Sequence, residues 1–226
     1  MLRYRCLVFD HDDTVVDSTQ NIHFPAFQQT LKQLRPEINM KINDFILQCF
    51  HPGFIDLLSK HLSFNEEELQ IQQSNWLSYV DNHIPKIFSG MKELMEHHKE
   101  QGGNICVVSH SFSKNIYRDY EKNGLPKPDL VFGWDRPAEE RKPKPYPLQE
   151  IMRQLELKPH EILMVDDLKP GYDMAKVCNV PFAAAGWAYN IPEINEYMSK
   201  QCDFYFSKVN DLYNLSLIHI SEPTRH

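Results

Sequence analysis

An apolar run that stops abruptly in carboxylates lies near the start of the chain: Cys6-Leu7-Val8-Phe9, then Asp10-His11-Asp12-Asp13-Thr14. The run reads as a buried strand, with residues 4–9 as its span. Unpaired charges at the end of such a strand are expensive near a core, and a bound divalent cation is one reason to keep them there. Asp10 and Asp12 would point the same way only while the strand stays regular. The chain must therefore turn at this point to aim several groups at one place. These residues permit nucleophile, acid/base and metal-ligand roles together.

The remaining pattern places that strand in a sheet. Residues 18–80 contain no convincing long strand; AFQQTLKQL, DFILQCF, GFIDLLSKHL and EEELQIQQSNWLSYV read as short helices, broken near Pro36 and Pro52. From residue 88 strands and helices alternate: NICVVSHS, DLVFG, EILMVDD, VPFAAAG and DFYFS as strands, with helical segments between them. Such alternation favours an α/β fold, a Rossmann-like parallel sheet covered by helices on both faces. Ligand sites in such sheets lie beyond the carboxyl ends of the strands. Asp10, Ser109 and Asp167 all fall at ends of that kind.

Composition removes several classes. With 226 residues and 42% hydrophobic content the chain can build one substantial core and a small second lobe. Its net charge is -7, with no basic stripe for nucleic acid and no polybasic membrane patch. A small phosphorylated metabolite can still bind through a local cation site. Cys6, Cys49, Cys106, Cys178 and Cys202 are scattered and lack CxxC spacing, which fits free thiols and a cytoplasmic location. No signal peptide and no apolar run of transmembrane length is visible. A monomer or weak homodimer is expected.

Between residues 5 and 212 the chain resembles the haloacid dehalogenase-like hydrolase superfamily, in its phosphatase and phosphomutase branch. The resemblance rests on Asp10-His11-Asp12-Asp13-Thr14, on Ser109 at the Ser-His-Ser end of NICVVSHS, on Lys142-Pro143-Lys144-Pro145, and on Asp166-Asp167 followed by Gly171 and Ala175. It implies phosphoryl transfer with Mg²⁺. Asp10 would attack phosphorus and form an aspartyl-phosphate, while Asp12 would protonate the leaving oxygen and then activate water. Asp10, the Asp12 backbone carbonyl, Asp167 and Asp166 would hold the metal. Ser109 would bind phosphate with backbone N–H groups around His11, Asp12 and His110. Lys142 would face the phosphate and Asp10, with Lys144 as the register alternative. Thr14 reads as loop support, and Asp13 stands where the family more often has glycine.

The resemblance extends to phosphoglycolate phosphatase and beta-phosphoglucomutase relatives through Asp17-Ser18-Thr19 and His23-Phe24-Pro25-Ala26-Phe27. His11, His23 and His51 are accordingly the candidate substrate contacts. The mutase pattern places a basic residue mid-cap, but CFHPGF has none between Lys41 and Lys60, so phosphatase ranks above phosphomutase and above a non-catalytic phosphate-binding protein. Asp12 favours phosphoester chemistry over dehalogenation. The expected domains are a core of residues 1–16 and 84–212, a helical cap of 17–83, and a tail of 213–226 that from about residue 216 resembles translated adapter sequence.

Overall fold

The computed structural model describes residues 2–216. A six-stranded parallel sheet runs in the order β5-β4-β1-β6-β7-β8. Its strands are β1 (Cys6–Phe9), β4 (Asn104–Val108), β5 (Leu130–Phe132), β6 (Ile162–Asp166), β7 (Phe182–Ala185) and β8 (Phe204–Phe206). β1 is central, with Leu7 in register with Ile105 on one side and Leu163 on the other. Its four apolar residues need no polar alternation because both sheet faces are covered. Cys6 and Val8 join one core cluster, and Leu7 and Phe9 join the other.

Helices form the outer layers. α5 (Met91–Glu100), α6 (Ser113–Lys122) and α10 (Val209–Ser216) bury Leu94, Ile116 and Leu212 against the Leu7–Phe9 face. On the Cys6–Val8 face lie α7 (Tyr146–Leu155), α8 (Lys169–Val177) and α9 (Pro192–Gln201), which bury Ile151, Met174 and Ile194. Leu215 and Ser216 are buried, so packed chain continues past the 212 limit set from the sequence. Residues 217–226, the bulk of the expected tail, lie outside the described residues.

The helical insert begins with a wide turn over Thr19–His23 that leads into α1 (Phe24–Leu34). It continues through α2 (Ile42–Phe50), α3 (Phe54–Asp56), a second wide turn over Leu57–His61, and α4 (Glu66–Asp81). Its core is aromatic: the rings of Phe27 and Phe45 lie 4.7 Å apart, and Phe24 and Phe54 complete the group. Asn65 starts α4 with a reciprocal cap, accepting from the Glu68 N–H while the Glu68 carboxylate accepts from the Asn65 N–H. The connections into and out of the insert pair with each other. β2 (Val16–Asp17) and β3 (Lys86–Ile87) form an antiparallel ribbon, with Asp17 opposite Lys86. Such short strands leave no readable period in the sequence.

At the end of the sheet remote from Asp10, His98 is buried and its Nε2–H donates to the Asn104 carbonyl at 3.1 Å. Burial pushes its pKa down to about 4 from 6.5. The unfolded chain therefore takes up this proton more readily than the native one. The stabilisation is complete above pH 6.5 and disappears as pH falls toward 4, by roughly 3 kcal/mol. Urea unfolding of wild type and His98→Leu should show their stability difference shrinking by about that amount between pH 7 and pH 4.

Candidate active site

The carboxyl ends of the three neighbouring strands β4, β1 and β6 build the site. Asp10 follows β1 directly, and its N–H donates to the Val165 carbonyl of β6 at 2.8 Å. Ser109 follows β4 and donates its N–H to the Phe132 carbonyl of β5 at 2.9 Å. Asp166 ends β6, with Asp167 next. Neighbouring parallel strands thus set these side chains side by side, although the sequence separates them widely.

Lys142 joins two of them. Its Nζ donates to Asp10 Oδ1 at 2.6 Å and to Asp166 Oδ2 at 2.8 Å, with all three side chains buried. Burial alone disfavours the ammonium, but the Asp10 and Asp166 charges outweigh it and raise the lysine pKa. Lys144 is exposed and belongs to the turn, donating its N–H to the Arg141 carbonyl, so the register places Lys142 in the site. His110 fixes the backbone there. Its Nε2–H donates to the Lys142 carbonyl at 2.9 Å, and burial and the nearby ammonium push its pKa down to about 4.

Asp12 lies where the core meets the insert. Its Oδ1 accepts from Ser18 Oγ at 2.8 Å and from His23 Nε2 at 2.7 Å, and its Oδ2 accepts from Ser111 Oγ at 2.6 Å. The Trp76 indole N–H donates to His23 Nδ1 at 2.9 Å, so that nitrogen carries no proton and Nε2 is the donor to Asp12. Burial by itself would raise the Asp12 pKa, but His23 and Ser111 hold it well below the usual carboxylate range.

Asp13 has φ of 55°, the left-handed conformation that glycine adopts freely. Its Oδ1 accepts the N–H groups of Ser18 and Thr19 at 3.2 and 3.0 Å, tying the loop to the first turn of the insert. Burial, with a contribution from Asp12, pushes its pKa up to about 6 despite those donors. Thr14 Oγ1 donates to Asp167 Oδ1 at 3.2 Å, and the Tyr189 hydroxyl donates to Asp167 Oδ2 at 2.8 Å. Trp187 Nε1–H donates to the Thr14 carbonyl at 3.0 Å. Gly171 permits the close approach of α8, since a Cβ there would collide with the Asp166 carboxylate.

The structure brings together Asp10, Asp12, Ser109, His110, Lys142, Asp166, Asp167 and His23. It does not bring in two of the expected substrate contacts. His11 is buried on the far side of its loop, where Nε2 meets Asp119 Oδ2 at 3.0 Å and the ring stacks on Tyr120. His51 is exposed at the end of α2, and its side chain bonds to none of these groups. Sequence reasoning missed Ser111, Trp76 and Tyr189, whose partners lie far along the chain; in the sequence, Tyr189 is marked only by its place three residues after the VPFAAAG strand.

Asp10, Asp166 and Asp167 each offer a carboxylate oxygen, and these atoms lie within 4.8 Å of one another. Burial and repulsion from Asp166, Asp10 and Asp13 push Asp167 well above the usual carboxylate range. Among the described residues, Lys142 is the buried lysine set against these charges. A buried, all-oxygen donor set with uncompensated charge fits a hard divalent cation.

Carboxylates and a lysine converging beyond parallel strands, under a helical insert, define a Rossmann-like hydrolase with a cation-ready centre. The haloacid dehalogenase-like hydrolase model matches residues 7–185, and the chain belongs to that family. It is similar to a phosphoglycolate phosphatase of Vibrio vulnificus, 23% identical over 224 residues that cover 95% of this chain and 96% of the relative. It is also similar to the pyrophosphatase PpaX of Bacillus cereus, 24% identical over 215 residues, covering 93% and 95%. Among solved structures, a predicted phosphoglycolate phosphatase from Haemophilus somnus superposes with a TM-score of 0.75 at 21% identity, covering 95% of this chain and 99% of that one. CbbY from Rhodobacter sphaeroides, solved with phosphate, superposes with a TM-score of 0.72 at 17% identity, covering 92% and 96%.

Two variants probe the supporting contacts. Asp13→Gly loses the tether to Ser18 and Thr19, while Asp13→Ala also strains a left-handed backbone. The alanine variant should therefore be the less stable by roughly 1 kcal/mol in urea unfolding. Tyr189→Phe frees one oxygen of Asp167 and should weaken divalent-cation binding, read by calorimetry, by about 10-fold to 100-fold with little change in fold stability.

Proposed function

We propose that this hydrolase is a Mg²⁺-dependent phosphatase that cleaves small phosphomonoesters through a phosphoryl group carried on Asp10. The observation that carries this reading is Lys142 bridging Asp10 and Asp166 in a buried site, beside Ser109 and Asp167. The lysine holds Asp10 in one orientation and occupies Oδ1, leaving Oδ2 as the attacking atom. Asp10, Asp166, Asp167 and the Asp12 carbonyl would hold Mg²⁺, which supplies charge neutralisation for the transferring phosphoryl group. Ser109 Oγ–H and the ammonium of Lys142 donate to phosphate oxygens, where charge builds in the transition state.

In the first half-reaction the bond from Asp10 Oδ2 to phosphorus forms and the bond to the leaving oxygen breaks. Asp12 in its protonated form gives that oxygen a proton and becomes a carboxylate. In the second half-reaction water attacks phosphorus, Asp12 takes its proton, and the bond to Asp10 breaks, releasing phosphate and restoring both residues. The three donors on Asp12 favour the carboxylate, the form needed to accept the proton from water. His23, carried on the insert, places this contact under the control of the insert's position.

The names of the relatives bring phosphoglycolate and pyrophosphate forward as compounds to test. The CbbY complex with xylulose-1,5-bisphosphate adds a sugar phosphate. Phosphate release should require Mg²⁺ and fall by about 10³-fold or more in Asp10→Asn. Asp12→Asn should lower turnover of alkyl phosphates by about 10²-fold to 10⁴-fold. In kcat/KM, which reports transfer to Asp10, it should spare p-nitrophenyl phosphate, whose leaving group needs no proton, while the later hydrolysis on Asp10 slows for both substrates. Equal losses of kcat/KM on both substrates would remove Asp12 from the general-acid role.

A further inference from the structure

The part of a substrate beyond its phosphate must sit on the Asp12 side, where the core meets the insert. Hydroxyls of Ser18 and Ser111, the His23 imidazole and the paired rings of Trp76 and Phe112, 5.7 Å apart, surround that position. A second anionic group would need a cation there, and the lysines and arginines of the insert and of the crevice beside Asp12 lie far off or are bonded elsewhere.

The helical insert carries Lys32, Arg35, Lys41 and Lys60. α1 starts beside Asp12 at His23 and runs away from it, so Lys32 and Arg35 lie about 13 Å or more along the helix from that contact. Arg35 also gives its N–H groups to Glu68 and to the carbonyls of Leu34 and Leu62. α2 turns its C-terminal end to the core, where the Phe50 and Tyr197 rings meet at 5.4 Å. Lys41 precedes its opposite end, about 13 Å away. Lys60 is exposed and pairs with Asp56.

The nearby core cations are committed as well. Arg118 borders the crevice beside Asp12, but it donates to Asp119 and to the carbonyls of Val80 and His83. Arg136 pairs with Glu140, and Arg141 lies over the Trp134 ring while donating to the Arg136 carbonyl. Lys142 serves Asp10 and Asp166. Against these stand the carboxylates of Asp10, Asp12, Asp13, Asp166 and Asp167, most of them buried. A carboxylate or second phosphate entering here would lose water without gaining a lysine or arginine partner, and it would meet a field of its own sign.

The geometry points to a substrate whose organic half carries no second anionic group: the phosphate ester of a neutral alcohol or polyol. This rests on the phosphatase reading and narrows it against the compounds that the relatives' names bring forward. The test uses the wild-type enzyme and matched pairs at fixed free Mg²⁺. 2-Hydroxyethyl phosphate differs from 2-phosphoglycolate by a hydroxymethyl group in place of a carboxylate, with leaving alcohols of similar acidity. Glycerol 3-phosphate and 3-phosphoglycerate form a second pair. In both, kcat/KM should favour the neutral member by about tenfold or more. Equal or reversed ratios accompanied by phosphate release would overturn this assignment and leave the phosphatase standing. No release from either pair or from p-nitrophenyl phosphate would overturn both.

Discussion

A buried ammonium between two carboxylates organises this protein. Taking Lys142, Asp10 and Asp166 out of water is expensive, and mutual attraction compensates only when geometry is close and remaining valences are filled. The geometry is close at both carboxylates, and the second oxygen of Asp166 is filled as well. Nζ reaches Asp10 and Asp166 at 2.6 and 2.8 Å, and Asp166 Oδ1 accepts the Leu168 N–H. The contact also ties the loop before α7 to β1 and to the end of β6, two strands that the sheet already holds in register. Gly171 and the His110 bond to the Lys142 carbonyl are consequences, one clearing space for Asp166 and the other holding the lysine's backbone.

The same electrostatics separates the roles of the neighbouring aspartates. Asp166 and Asp167 are crowded by like charge and burial, which favours a cation or a proton among them. Asp12, two residues beyond Asp10, is surrounded by hydroxyl and imidazole donors that favour its ionised form. Identical side chains thus acquire different chemistry from their surroundings. The insert enters this arrangement directly, because His23 and Trp76 belong to it and Ser111 to the core.

Much of this was legible in the sequence because the relevant residues end strands. An apolar run without alternation marks a strand covered on both faces, and Asp10, Ser109 and the Asp166-Asp167 pair follow such runs immediately. The parallel sheet with helices on either side followed from the alternation of segments. Side-chain direction within the first loop was not legible. The chain turns after Asp10, so His11 points into the core toward Asp119 while Asp12 points to the insert. The choice of Lys142 over Lys144 depends on the turn between them, which spacing does not fix. Tyr189, Trp76 and Ser111 acquire meaning only through partners that folding brings to them.

The short ribbon of β2 and β3 has a consequence for how such a protein changes over time. It brings the entry and exit of the helical insert together, with Val16 opposite Ile87. To the sheet, the whole insert is a single surface loop, and lengthening a loop whose ends already meet costs little in closure entropy. Away from His23 and Trp76, the insert can therefore be enlarged or redrawn while the strands beneath keep their register.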